Sequence, residues 1–372
     1  MTLAYALFRP ASFSVSGYNA NFHWPANKKP GLAERFMTWD GEHYLYLSAN
    51  GYKAGAMSDA FYPLWPAVIW AGARLMFGHA LIAALLLANI FSLIAWLLFH
   101  RFVSELHGAE CANCALLLLL AYPAALFFQF PYSESLFLLL IVLFFIGIFH
   151  EKFWLVTLTG FLLPLTRAIG VFCLLPLGWY LLERSMRMKK LNVNSFSSAF
   201  SMFSILKDRV WLVCAAPLLG YASYFGIMYA FTGDPLSGFQ AQRDYLNQPS
   251  ISNILNLPGF IGAFLNIAWH HGMTDSPIDR AFFIVFLICL PFLWRLNRTY
   301  FFYALGSGLI PAMSNWFFSY TRLLVVCFPL FIVLGEKLSA RRNRLVLAYV
   351  VLALGIVQIL LLIKHVNVRW AG

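Results

Sequence analysis

Residues 39–66 read WDGEHYLYLSANGYKAGAMSDAFYPLWP and set Asp40, Glu42, His43 and Asp59 among aromatic side chains. Carboxylates accept hydrogen bonds from hydroxyls, and aromatic faces stack on sugar rings. A carboxylate against an apolar wall can also have its pKa raised into the range useful for general acid–base work. The mixture therefore suits a hydroxyl-rich substrate; a solvated loop with a belt of interfacial aromatics is the plainer alternative. Further polar groups stand at the ends of apolar runs. Tyr132, Ser133 and Glu134 follow one run, and Arg167 interrupts another. Asp234, Gln240, Gln242 and Arg243 follow a third, and Tyr320 and Arg322 lie between two more. An ionisable residue at the depth of a membrane run is a functional candidate by default. Arg167 and Arg322 could hold a lipid phosphate by bidentate hydrogen bonds, or form an ion pair with a carboxylate such as Glu134.

The elements that must position these groups are set by composition. Of 372 residues, 61% are hydrophobic and 11% charged, against roughly 25% charged in a soluble domain. So apolar a chain needs lipid as its solvent. The net charge of +11 comes from Lys and Arg clustered in short loops, which reads as membrane topology and excludes a nucleic-acid surface as partner. Cys111 and Cys114 form a C-x-x-C without a second ligand pair, so the cysteines read as small residues on membrane helices, with no disulfide framework. No metal-ligand cluster is legible, and neither metal nor cofactor is expected. No cleavable leader is legible either, since Arg9 and Pro10 interrupt the first apolar stretch.

The expected fold is all-α: a polytopic transmembrane bundle of about ten spans in one domain, with short surface helices in its exterior loops. Clear spans are 80–99, 112–129, 135–149, 210–231, 281–294, 299–318, 323–335 and 345–363. Residues 61–77 would reach about 25 Å as a helix, short of a ~30 Å hydrocarbon core. The basic loop 184–209, the turn after 294 and loop 336–344 read as cytoplasmic, and 232–280 as a second large exterior loop. Two solutions fit upstream. In one, 153–183 is a pair of short helices meeting outside near Arg167, and 61–77 lies flat on the outer surface. In the other, each crosses once. Both put 17–60 outside; the first also puts Arg101 and Lys152 inside and keeps Arg74 out of the lipid, and is preferred. The first exterior loop then runs over 17–78. Residues 1–16 are too few to span, so either they cross in an unusual way or a first helix precedes this sequence.

Taken in order, the motifs resemble the PIG-V family of membrane mannosyltransferases, of the glycosyltransferase C superfamily. They are W-D-G-E-H-Y, Gly51-Tyr52 and A-F-Y-P-L-W-P, then Y-P-A-A-L-F-F with Y-S-E-S-L-F (Tyr122 to Phe137). T-R-A-I-G (Thr166 to Gly170) follows, then G-D-P with F-Q-A-Q, and finally S-Y-T-R with F-P-L-F (Ser319 to Phe331). The G-D-P segment is similar to bacterial members. The resemblance implies a polyprenyl-phosphate sugar donor, an acidic residue in the first exterior loop and a surface-lying helix after it. In eukaryotes the family adds the second mannose of GPI anchors. From a chain resembling the bacterial branch, a glycolipid or envelope glycan is the expected acceptor, at the non-cytoplasmic face of a bacterial plasma (inner) membrane.

The expected chemistry is an inverting transfer of a hexose, mannose by analogy. Asp40 would act as general base on the acceptor hydroxyl, with His43 supporting it. Arg167 or Arg322 would stabilise the departing phosphate. Glu42, Tyr132, Glu134, Gln240 and Gln242 would bind sugar. The competing classes are a transporter or lipid flippase, which would favour inverted repeats that are not legible here, and an inactive structural subunit.

Overall fold

A computed structural model describes residues 13–372 apart from 26, 189–208, 246–247 and 269. Residues 189–208 of the basic connector therefore lie outside the described residues. All regular structure among the described residues is helical. The N-terminal region carries α1 (Val15–Ala20), a 3₁₀ turn (Ala33–Phe36), α2 (Asp40–Asn50), a 3₁₀ turn (Met57–Ala60) and α3 (Leu64–Leu75). Next come α4 (Ala80–His107), α5 (Ala109–Ala121) and a 3₁₀ segment (Pro123–Gln129). They lead to α6 (Glu134–Phe149), α7 (Phe153–Thr166) and α8 (Leu174–Met188). Beyond the connector lie α9 (Ala215–Thr232), α10 (Ser237–Gln242), α11 (Leu257–Leu265) and α12 (Pro277–Leu296). The last part holds α13 (Arg298–Ala304), α14 (Ile310–Asn315), α15 (Tyr320–Leu324), α16 (Pro329–Leu338) and α17 (Arg344–Val366).

Among the described residues, four helical stretches are long and apolar enough to cross a bilayer: Ala80–His107, Val210–Thr232, Pro277–Leu296 and Arg341–Val366. The first, with 28 residues, reaches about 42 Å, more than a ~30 Å core requires. Other expected spans depart from straight rods. Run 112–129 is bent by 81° where α5 meets Pro123, a residue with no N–H for the helix to use. Run 299–318 is interrupted by a π-helical stretch at Leu305–Leu309, and 323–335 is split between α15 and α16. Residues 153–183 do break at Arg167, into α7 and α8. Runs 61–77 and 135–149 yield helices of 12 and 16 residues.

The core is built from aromatics of elements far apart in sequence. Phe145 meets Phe328 at 4.9 Å between ring centres, and Phe102 and Tyr300 pack on the same cluster. Cys111 is buried against α16, its thiol facing the Ile332 carbonyl, as suits a small packing residue.

Candidate active site

The backbone ahead of Asp40 is unusual. Trp39 has φ +56°, a conformation costly for a side chain of this size and concentrated at functional sites. It launches α2 with Asp40 in its first turn, where a carboxylate is favoured by the helix dipole. Gly41 permits the next step: a Cβ there would stand 3.0 Å from the Pro131 ring. W-D-G is thus seated on the loop that begins P-Y-S-E. Trp65 Nε1 donates to the Pro131 carbonyl at 3.1 Å and the Tyr132 hydroxyl to the Thr38 carbonyl at 2.8 Å. The Tyr44 and Ser133 hydroxyls are 2.9 Å apart.

Two arginines converge on this loop. Arg167 follows α7 in extended backbone. The chain turns back over the helix end so closely that a Cβ on Gly170 would lie 2.2 Å from the Leu163 carbonyl oxygen, which explains the glycine of T-R-A-I-G. Arg322 sits in α15, preceded by Trp316, Phe317 and Ser319 at φ +47°, +68° and +56°. The buried Asp279 carboxylate holds α15 in place, accepting from the Thr321 backbone N–H at 2.7 Å and its hydroxyl at 2.6 Å.

The result is a four-member ion cluster. Glu134, with no exposed side-chain surface, accepts from Arg167 Nη1 at 2.7 Å and Arg322 Nε at 2.5 Å. Arg322 Nη1 reaches Asp40 Oδ2 at 2.6 Å. The Arg322 guanidinium also lies over the Phe127 and Tyr132 rings, 4.9 and 4.6 Å from their centres. Asp40 keeps 27% of its side chain exposed. Its neighbourhood is a cavity of about 1290 Å³ that draws walls from both long polar segments. Asp40, His43, Tyr132, Arg167, Gln242 and Arg322 all line it.

Four expected roles meet a different geometry. Glu42 is buried on another side of α2 and does not line the cavity; two residues along a helix turn the side chain by about 200°. Burial pushes its carboxyl up to about 7, opposed by the Lys28 charge. Gln240 also lies off the cavity, its amide donating to Asp234 Oδ2 at 2.6 Å. Glu134 is enclosed beneath the arginines, so the ion-pair alternative describes it better than sugar contact. His43 lines the cavity, but its Nδ1 is 2.9 Å from the Ser58 hydroxyl and its ring is stacked between Phe22 and Phe61 at 4.2 and 4.7 Å. Burial pulls its pKa down to about 4, against the pull of Asp40, so it is a neutral ring at physiological pH.

Several lining residues carried no assigned role in the sequence. Tyr44 stands four places after Asp40, one helical turn on, so periodicity could have marked it. Arg243 and Tyr245 follow α10, and His365 and Trp370 come from the end of α17 and beyond; no motif points to the last two. Asp59, buried among the aromatics, joins the two polar segments. Its Oδ2 accepts from the Ser237 hydroxyl at 2.9 Å and its Oδ1 from the Lys53 N–H at 3.2 Å.

A sequence profile of the mannosyltransferase (PIG-V) family matches residues 11–231. The chain belongs to this family. The profile takes in Asp40, Glu42, His43, Tyr132, Glu134 and Arg167, whereas Gln240, Gln242, Arg243 and Arg322 lie past its end. GPI alpha-1,6-mannosyltransferase 2 of Mus musculus is 32% identical over 117 residues, 29% of this chain and 24% of that protein. Its counterpart in Rattus norvegicus is 32% identical over 109 residues, 27% and 22% respectively. The chain spans about a quarter of the length of these curated relatives. Within residues 11–231, W-D-G-E-H-Y, P-Y-S-E and T-R-A-I-G are thus brought together, joined through Pro131, Ser133 and Glu134.

Proposed function

We propose that the protein is a membrane glycosyltransferase that moves a hexose, mannose by family, from a polyprenyl-phosphate donor to a glycolipid or envelope glycan. On this reading the cavity faces the non-cytoplasmic side of a bundle of about ten spans of glycosyltransferase C type, the interrupted and shorter helices making up the number. The observation that carries the proposal is the Asp40–Arg322–Glu134–Arg167 cluster at the wall of a cavity large enough for a sugar phosphate and an acceptor sugar together.

Asp40 takes the proton of an acceptor hydroxyl, and that oxygen attacks the anomeric carbon. The bond from that carbon to the phosphate oxygen breaks, and its electron pair leaves with the lipid phosphate. Arg322 and Arg167 face the charge that develops on that phosphate. Asp40 Oδ2 is engaged by Arg322, so it must first be released to meet the acceptor hydroxyl. The donor phosphate supplies the means, competing with Asp40 for Arg322 by the same charge-assisted hydrogen bonds. Tyr132 and Gln242 remain candidate sugar contacts on the wall. Glu42, Glu134 and Gln240 act as supports of the scaffold.

The test is transfer of labelled sugar from polyprenyl-phosphate mannose by purified protein in lipid, with host lipids and glycans as acceptors. Asp40→Asn is expected to lower turnover about 10²–10⁴-fold while the protein stays folded. Near-normal turnover in that variant removes Asp40 as the base.

A further inference from the structure

Three arginines, and no lysine, line the cavity among the described residues: Arg167, Arg243 and Arg322. Arg167 and Arg322 are bound to Glu134 and Asp40, and that cluster of two cations and two carboxylates has no net charge. Arg243 differs. It is exposed at the end of α10, and no carboxylate lies within ion-pair distance of it among the described residues. Asp244, its exposed neighbour on the wall, is the nearest acid in sequence.

The backbone that carries Arg243 is held in place by its neighbours. Ser237 is bonded to Asp59, and a Cβ on Gly238 would stand 2.8 Å from the Asp59 carbonyl oxygen, so α10 lies directly on the 57–60 turn. The Tyr245 hydroxyl donates to the Met57 carbonyl at 3.3 Å and the Gln242 amide to the Ala60 carbonyl at 3.5 Å. The backbone on both sides of Arg243 is thus anchored at the cavity wall, which fixes where its side chain starts.

We propose that Arg243 is a phosphate-binding residue of the donor subsite. This rests on the glycosyl-transfer reading above. A sugar–phosphate–lipid diester carries one negative charge. Against the neutral cluster it gains attraction only by displacing a carboxylate, whereas beside Arg243 it meets an unpaired cation at once. Arg243 therefore takes the donor phosphate first, and Arg322 turns to it from Asp40 afterwards. The leaving phosphate, more highly charged than the diester, then faces both guanidiniums.

The experiment titrates wild type and Arg243→Gln, in lipid nanodiscs, with a polyprenyl phosphate that bears no sugar, and measures donor KM alongside. Thermal unfolding checks that both are folded. The expected result is a Kd raised about tenfold, the loss of one charged contact. Donor KM rises by the same factor, acceptor KM is unchanged, and Arg243→Lys recovers part of the affinity. Arg298→Gln, which removes an exposed arginine outside the cavity, leaves Kd as it was. An unchanged Kd in Arg243→Gln overturns the proposal. So does an equal loss in Arg298→Gln, which would mean general attraction of anionic lipid. A raised donor KM with unchanged Kd overturns it too, since Arg243 would then contact sugar. If wild type binds polyprenyl phosphate through Arg243 yet transfers no sugar, the phosphate site stands and the transferase reading falls.

Discussion

Replacing Glu134 by Gln should cost stability before it costs chemistry. The carboxylate has no exposed surface and a single oxygen, Oε1, receives both guanidiniums, at 2.7 and 2.5 Å. Arg167 and Arg322 are themselves only 14% and 11% exposed. In the wild type the four charges cancel. In Glu134→Gln two enclosed guanidiniums share one carboxylate, Asp40, which touches only Arg322. Removing one partner of a buried ion pair strands the other, at about 3–5 kcal/mol. Asp40→Asn creates the same excess of charge, but 27% of that side chain is exposed and water can screen the change, so its cost should be about 1 kcal/mol. Thermal unfolding of the purified proteins in detergent should show a drop of several degrees for Glu134→Gln and little for Asp40→Asn, with the activities in the opposite order of specificity. Arg167→Gln placed in the Glu134→Gln background restores neutrality and should recover part of the loss, a coupling that independent sites lack. If Glu134→Gln unfolds like wild type and only raises a KM, the carboxylate is a sugar ligand after all, and the scaffold argument is wrong.

Two further outcomes follow from single positions. Glu42 holds its proton more tightly when folded, its pKa raised from 4.5 to about 7. Its contribution to stability is therefore full below about 4.5 and lost as pH rises through about 7, about 3 kcal/mol at most for a side chain this buried. Glu42→Gln should thus gain on wild type in unfolding midpoint between pH 5 and 8, and a difference constant with pH would contradict this. Gly170→Ala places a methyl 2.2 Å from a backbone oxygen that cannot yield. It should cost about 1–3 kcal/mol and reduce turnover by displacing Arg167, whereas a variant with normal turnover would show that the tight turn does not position the arginine.

Much of the site was legible because its chemistry is local in sequence. W-D-G-E-H-Y names Asp40 and His43 directly, and the break at Arg167 stands out in an apolar run. What was not legible is partnership. Asp40 and Arg322 are 282 residues apart, and nothing in either motif says that the two charges meet. Glu42 and Gln240 were expected in the site because polar residues in an apolar chain attract attention, yet the side of the helix decides which ones face the cavity. Hydropathy likewise marks where a chain prefers lipid but not whether it runs straight. Pro123 and the π-helical stretch at Leu305–Leu309 turn two apparent rods into bent or broken segments, and those breaks bring Gln129 to Glu134 and Tyr320 to Arg322 beneath Asp40.

The same breaks bear on how Asp40 would be controlled as a base. Asp40 follows one strained residue and Arg322 follows three, each a cost of about 1–3 kcal/mol that the surrounding packing must sustain. The ion pair they form offsets part of that strain. On the transferase reading it also keeps Asp40 from an acceptor hydroxyl until a donor binds. A phosphate that draws Arg322 away leaves the strained backbone in place and the carboxylate free beside the acceptor. On the transferase reading, release of Asp40 and donor binding are then one event: an acceptor hydroxyl meets an unengaged Asp40 only when an activated sugar is already held, and the charge that leaves with the lipid phosphate stays matched by the arginine that released the carboxylate.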